Sequence, residues 1–221
     1  MFIKYGTNRK LPHGKDFSLL AGFQIDLLKE MRMSLESTLN EERERLEDLI
    51  KESKAEQFES DYDYHSYLDS IYDDFMQASL IENMLKLLIV VRLYIIVELT
   101  TKHVLKWLIQ DIKKENKDQL IRKASKWESL KKIYKKYGVN LNDISEFNVI
   151  NELRCLNNAI KHGGYVGEQL TQFPIWKNEL KKEINVDKID LERFYNSIPK
   201  FIFDLVEKAN AAPTTNSTLY S

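Results

Sequence analysis

Leu87-Leu88-Ile89-Val90-Val91-Arg92-Leu93-Tyr94-Ile95-Ile96-Val97, broken by Arg92 and followed by Glu98 and Lys102, is the most apolar stretch of this 221-residue chain. It lies in a span that lacks both helix breakers: no glycine falls between Gly22 and Gly138, and no proline between Pro12 and Pro174. Such a span suits long helices and cannot serve a many-turned β fold. The class is all-α. From Tyr67 to about Lys114 the pattern predicts one long helix, apolar on nearly every side between Met84 and Trp107, which places it in the middle of a bundle. Arg92, Glu98, Lys102 and His103 need partners there, because an uncompensated buried charge costs several kcal/mol. Glu98 and Lys102 stand i, i+4 and pair within the helix, whereas Arg92 and His103 point toward another element or subunit. The stretch is too short and too charged to span a bilayer.

Toward the N-terminus, residues 1–15 hold Gly6, Pro12 and Gly14 and read as an irregular lead-in. Asp16 offers an N-cap, and Leu19, Leu20, Phe23, Leu27, Met31 and Leu35 recur at helical spacing, so a first long helix runs to about Lys54. Its second half, from Glu41 onward, is mostly polar and reads as a partly projecting segment or a loose coiled-coil pairing. Ser60 to Tyr67 reads as a solvated, tyrosine-rich connector. His65 within it has no companions at metal-ligand spacing.

Toward the C-terminus, Lys113 to Asp118 reads as a polar connection. One basic helix follows, with Leu120, Ile121, Trp127, Leu130, Ile133 and Tyr134 on one side, Lys123, Lys126, Lys131, Lys132, Lys135 and Lys136 elsewhere, and Gly138 as its stop. Asp143 and Glu146 offer a capping box for the next helix, which Gly163 ends. Gly163 to Asn185 is a loop with Pro174 and Trp176. The last helix starts at Asp190, packs Leu191, Phe194, Ile198, Phe201, Ile202 and Leu205, and should kink at Pro199. Residues 211–221 form a polar, frayed tail. No linker is long enough to divide domains, so residues 16–210 read as one bundle of about five helices with two long N-terminal ones.

The formal net charge is −1, and 43% of residues are hydrophobic, enough for a real core. Charge is segregated: residues 41–74 hold thirteen acidic against four basic side chains, and residues 102–136 twelve basic against four acidic. Either run serves as a solvated helix face; the basic one also suits phosphate, and the two together suit pairing between subunits. The single cysteine, Cys155, excludes an internal disulfide, fits a reducing compartment and reads as a small packing residue. With Lys4, Arg9 and Lys10 followed by Pro12 and no apolar core, no secretory signal is expected. A cytoplasmic protein is expected, without a metal or cofactor: no GxxxxGK[ST], GxSxG or HExxH pattern occurs.

Glu152-Leu153-Arg154-Cys155-Leu156-Asn157-Asn158-Ala159-Ile160-Lys161-His162-Gly163-Gly164 carries the densest polar chemistry. At 100° per residue Val149, Leu153, Leu156 and Ile160 share a stripe about 60° wide that faces a core, with Ile150 about 60° beyond its edge. Asn157, Lys161, Arg154, Asn158, Asn151 and His162 occupy the next roughly 140°. Arg154, Asn158 and His162, at i, i+4 and i+8, form a ladder expected to reach one small anion.

These residues, with the Arg92 to Leu99 helix, resemble a HEPN domain, the helical module of many prokaryotic toxin and phage-defence proteins. The similarity covers roughly residues 75–205. Members of that family carry an Arg, usually followed by a polar residue, four to six positions before a His near a helix end; two such helices meet across a dimer, and active members cut RNA without metal. His162 matches the His and Asn158 the polar residue, but Asn157 stands at the Arg position. Arg154 lies one turn early, with Lys161 adjacent to the His.

The resemblance implies a homodimer, an RNA substrate or ligand, and a protein partner such as an antitoxin or another defence component. In a metal-independent endoribonuclease two copies of His162 would supply base and acid, Arg154 and Lys161 the charge on the phosphate, and Asn158 its orientation, while the lysines of residues 123–136 held the RNA backbone. The amide of Asn157 carries no such charge, which suits an inactive module that binds RNA, a nucleotide or a partner. A third possibility is a dimerising scaffold built on the long helices, in which His162 only caps a helix end.

Overall fold

The computed structural model describes residues 11–110 and 114–212. Among them the regular structure is helical: α1 Gly14–Glu52, α2 Asp61–Leu108, α3 Lys114–Lys123, α4 Trp127–Lys136, α5 Phe147–Lys161 and α6 Leu191–Ala211, with short 3₁₀ turns between. The all-α bundle with two long N-terminal helices is therefore observed. No helix among the described residues is long and apolar enough to cross a membrane.

The chain forms two compact units, residues 26–89 and residues 1–25 with 90–221, so the boundary falls within α1 and α2 rather than at a linker. The smaller unit is an antiparallel hairpin of helices. Leu39 and Leu46 of α1 are buried, as are Ile71, Ala78 and Leu85 of α2. The seven-residue spacing is that of a coiled-coil seam, which is how a mostly polar helix half still finds a buried stripe. Arg43 Nη2 donates to Glu82 Oε2 at 2.8 Å, and Lys86 joins the same carboxylate at 3.2 Å. The guanidinium of Arg43 is the main reason that Glu82 sits below the usual carboxylate range, against the effect of burial.

In the larger unit α5 packs on α6. Ile150, Leu153 and Leu156 of α5 and Phe194, Ile198, Phe201, Ile202 and Leu205 of α6 are all buried. The α6 start is as expected, with Asp190 Oδ1 accepting the Arg193 N–H at 2.9 Å. The helix continues through Pro199 to Ala211. Gly14, already in the first turn of α1, comes so close to α6 that a Cβ would stand 2.6 Å from the Phe203 carbonyl oxygen. That contact needs glycine, and it moves the helix start two residues ahead of Asp16. Residues 1–10 and 213–221, most of the expected lead-in and tail, lie outside the described residues.

Several expected boundaries shift for physical reasons. Residues Asp61 to Tyr67 are the first turns of α2, not a connector, because Ser60 Oγ caps the helix by accepting the Asp63 N–H at 3.2 Å. Phe58 then packs on Tyr64 and Tyr67, at 5.4 and 5.3 Å between ring centroids. α2 ends at Leu108, and residues Lys114 to Asp118 are helical rather than a polar connection. The single basic helix is two helices. Lys126 adopts an extended backbone (φ −92°, ψ 126°), and Ser125 Oγ takes the Arg122 carbonyl at 2.8 Å, closing α3 before α4 restarts at Trp127.

The capping box at Asp143 and Glu146 does not form. Asp143 belongs to a 3₁₀ turn, and Glu146 is the N-cap of α5 in the left-handed region (φ 61°), its carboxylate accepting from Ser197 Oγ at 3.0 Å. Nor is α2 covered all round between Met84 and Trp107: Met84, Leu88 and Leu99 are 53%, 63% and 62% exposed, and Arg92 is exposed rather than buried. His103 is exposed too, with its ring 5.6 Å from Phe17.

Candidate functional site

α5 brings the polar stretch to the surface only at its end. The helix stops as its glycines predict: Gly163 and Gly164 take φ of 109° and 80°, and the Gly164 N–H reaches back to the Ala159 carbonyl at 2.9 Å. This six-to-one bond is the Schellman stop, and a left-handed C′ position is what glycine supplies without strain. His162 is the C-cap, exposed, and Lys161 beside it is exposed as well. Asn158 is half-buried.

Arg154 does not join them. It is 9% exposed, and its donors are engaged. Nε donates to Asn151 Oδ1 at 3.0 Å, Nη1 and Nη2 to Gln169 Oε1 at 3.4 and 3.3 Å, and Nη2 to Cys155 Sγ at 3.0 Å. The guanidinium also lies 5.3 Å from the centre of the Trp127 ring, a cation–π contact. Arg154 and His162 stand eight positions apart, a rise of about 12 Å along the helix. Long helical side chains lean toward the N-terminus, away from His162. One protomer therefore does not bring the Arg154 guanidinium and the His162 imidazole onto one small anion, contrary to the expectation from the ladder.

Asn157, at the position where the resemblance expects arginine, is 1% exposed. Its Nδ2 reaches Asn158 Oδ1 at 3.5 Å, and its Oδ1 is buried without a hydrogen-bond partner among the described residues. Val149 and Ile160, expected in the core stripe, are half-buried, so the buried face of α5 turns toward Asn157 instead.

The surroundings hold these groups neutral or fixed. Burial pushes the Cys155 thiol up, with Arg154 and Gln172 opposing, which keeps the sulfur a packing group rather than a thiolate. Burial and then the charge of Glu98 push Tyr94 up to about 12, with Arg154 opposing. Glu152, 4% exposed, accepts from Trp176 Nε1 at 3.1 Å and pairs with Arg193 at 2.7 Å. This ties the Gly163 to Asn185 loop and α6 to the helix. Lys181, Val166, Gly164 and Ile184 fasten the same loop by backbone bonds of 2.8 to 2.9 Å.

The lysines remain available. Lys123, Lys126, Lys132, Lys135 and Lys136 are exposed, and no ion pair among the described residues engages them; Lys131 is half-buried and bound to Glu128 at 2.8 Å. They lie at the end of α3, in the turn, and in the middle and end of α4, and Trp127, the first residue of α4, joins this surface to α5. Its ring contacts Arg154 and stacks on Phe147 at 6.0 Å.

Sequence reasoning missed the roles of Gln169 and Trp127. Gln169 is an ordinary polar residue in a loop fifteen positions from Arg154, with no pattern to mark it. Trp127 stands among lysines in the sequence, but nothing there points to Arg154. Compared with protein-family models, with curated proteins and with solved structures, the chain matches none.

Proposed function

We propose that this chain is a HEPN-like, RNA-directed protein of a bacterial toxin or defence system, and that it acts by holding RNA through the lysines of α3 and α4. The observation that carries this reading is the run of five exposed, unpaired lysines from Lys123 to Lys136, attached to α5 through Trp127. Flexible side-chain ammonium groups on two short helices suit a phosphate backbone whose spacing varies, as in single-stranded RNA. Retention without cutting is favoured by Arg154 and Asn157. The guanidinium is spent on Asn151, Gln169 and Cys155, and the amide is buried, so neither offers charge to a scissile phosphate.

A second reading, a metal-independent endoribonuclease, draws on exposed His162 with Lys161 beside it at the α5 end. There the imidazole of one copy would take the 2′-hydroxyl proton as the 2′-oxygen attacks phosphorus. A second copy's His162 would protonate the departing 5′-oxygen, leaving a 2′,3′-cyclic phosphate.

Incubation of purified protein with labelled single-stranded RNA in EDTA, followed by both a gel shift and a denaturing gel, tests the two together. Retarded but intact RNA, with the shift lost when the five lysines are changed to glutamine, is the expected result. Cyclic-phosphate products that disappear in His162→Ala would move the assignment to the nuclease, and no retardation would refute RNA binding.

A further inference from the structure

The hairpin of residues 26–89 is an acidic unit, with seventeen Asp and Glu against seven Lys and Arg. One helix face within it is both bare and apolar. Met76, Leu80, Ile81, Met84 and Leu88 of α2 are 71%, 59%, 45%, 53% and 63% exposed. At 100° per residue the five share about 140° of the helix, centred about 120° away from the buried Ile71, Ala78 and Leu85. An apolar row of this length left in water marks a contact surface, and its two methionines suit an adaptable one.

The rest of the same face says what kind of partner fits. Asp63, Asp69, Asp73 and Asp74 continue it toward the start of α2. Lys86, the only lysine or arginine of α2 in this unit, lies on the opposite side and pairs with Glu82 at 3.2 Å. Arg45 of α1, whose charge reaches Asp74, is held by Glu42 at 2.5 Å. The face is thus apolar in one half and negative in the other. Its charge repels nucleic acid and anionic membrane. A second copy would set aspartates against aspartates when parallel, or against the apolar half when reversed, and complements neither way.

We propose that this face of the hairpin docks an amphipathic helix of another protein, apolar along one side and rich in lysine and arginine at the end that lies over Asp63 to Asp74. From Asp63 to Leu88 the face is about 38 Å long, room for about 25 helical residues. The partner's apolar anchors, three and four residues apart, lie against Met76 to Leu88, and its cations fix direction and register. The inference rests on this face alone and not on RNA binding.

Fluorescence anisotropy of a synthetic helix titrated with the full chain tests it. The probe is a labelled peptide of about 25 residues with leucine at the a and d positions of each heptad, and lysine at the flanking positions of one half. Two control peptides carry glutamate for every lysine, or glutamine for every leucine. The probe should bind about tenfold or more tighter than either control. Leu80→Gln combined with Met84→Gln, at exposed positions that leave the buried seam intact, should weaken it about tenfold. Asp69→Asn with Asp73→Asn should weaken it about threefold and reduce its salt dependence. A benzoylphenylalanine in the apolar half of the probe should cross-link to residues 76–88. Binding no tighter than that of the controls, binding indifferent to the Leu80 and Met84 changes, or cross-links confined to other parts of the chain would overturn the proposal. So would a dimer of the chain, seen by sedimentation, that the same two changes dissociate, since it would give the face to a second copy.

Discussion

α5 and α2 are both helices rich in leucine and isoleucine, yet they use those residues differently. α5 gathers them in a narrow stripe and buries it against α6, leaving its polar residues to cap, pair and meet water. α2 spreads them around its circumference; one side closes the hairpin seam and the core of the larger unit, and another side stays bare. A narrow stripe states which neighbour it needs. A helix apolar on several sides states only that it needs more than one.

The sharpest way to break this comparison is truncation in each helix. Leu153→Ala, in the fully buried stripe of α5, is expected to lower stability by about 2–5 kcal/mol by removing contacts and leaving a cavity. Leu88→Ala, measured at concentrations too low for association, should stay within about 0.5 kcal/mol of wild type. Denaturant midpoints for the two variants decide it, and equal losses would mean that the bare face is covered within the chain.

Next in size is the anchor of α5. Glu152→Ala leaves Arg193 and the Trp176 indole without their acceptor, and a loss of about 2 kcal/mol is expected, moderated because Arg193 is partly exposed. Native-state hydrogen exchange should show the Gly163 to Asn185 loop opening first. Gly163→Ala, at φ 109°, should cost about 1 kcal/mol and fray the helix end that presents His162.

The smallest effect belongs to the hairpin. Arg43 holds the Glu82 pKa below 4.5, so the folded carboxyl binds a proton less readily than the unfolded one. Glu82 therefore adds stability above about pH 4.5 that is lost as pH falls through its folded pKa. Arg43→Ala should flatten that acid limb by up to about 1 kcal/mol, a modest figure for a pair that water still reaches. Denaturant titrations at pH 6 and below pH 4 compare the two.

What the sequence made legible follows the same division. The α5 stop at Gly163, the α6 start at Asp190 and the α6 core row were readable because each rests on local geometry: a left-handed glycine, an aspartate cap, a 3.6-residue period. The start of α2 was misplaced because a run of aspartates and tyrosines resembles a loop in composition, while a single cap at Ser60 makes it a helix. The break at Ser125 and Lys126 carries neither Gly nor Pro and had no local marker. At the candidate site, exposed His162 and the lysines follow from position on the helix, but the capture of Arg154 by Gln169 and Trp127 depends on long-range packing that periodicity does not encode.

The most direct test of RNA retention by α3 and α4 is fluorescence anisotropy of a labelled single-stranded RNA, titrated with the protein at several salt concentrations in EDTA. Five lysine contacts predict a slope of log affinity against log salt of about −3.5, falling toward zero when Lys123, Lys126, Lys132, Lys135 and Lys136 are changed to glutamine. No binding at about 50 mM salt, or a slope unchanged in the glutamine variant, would contradict the account.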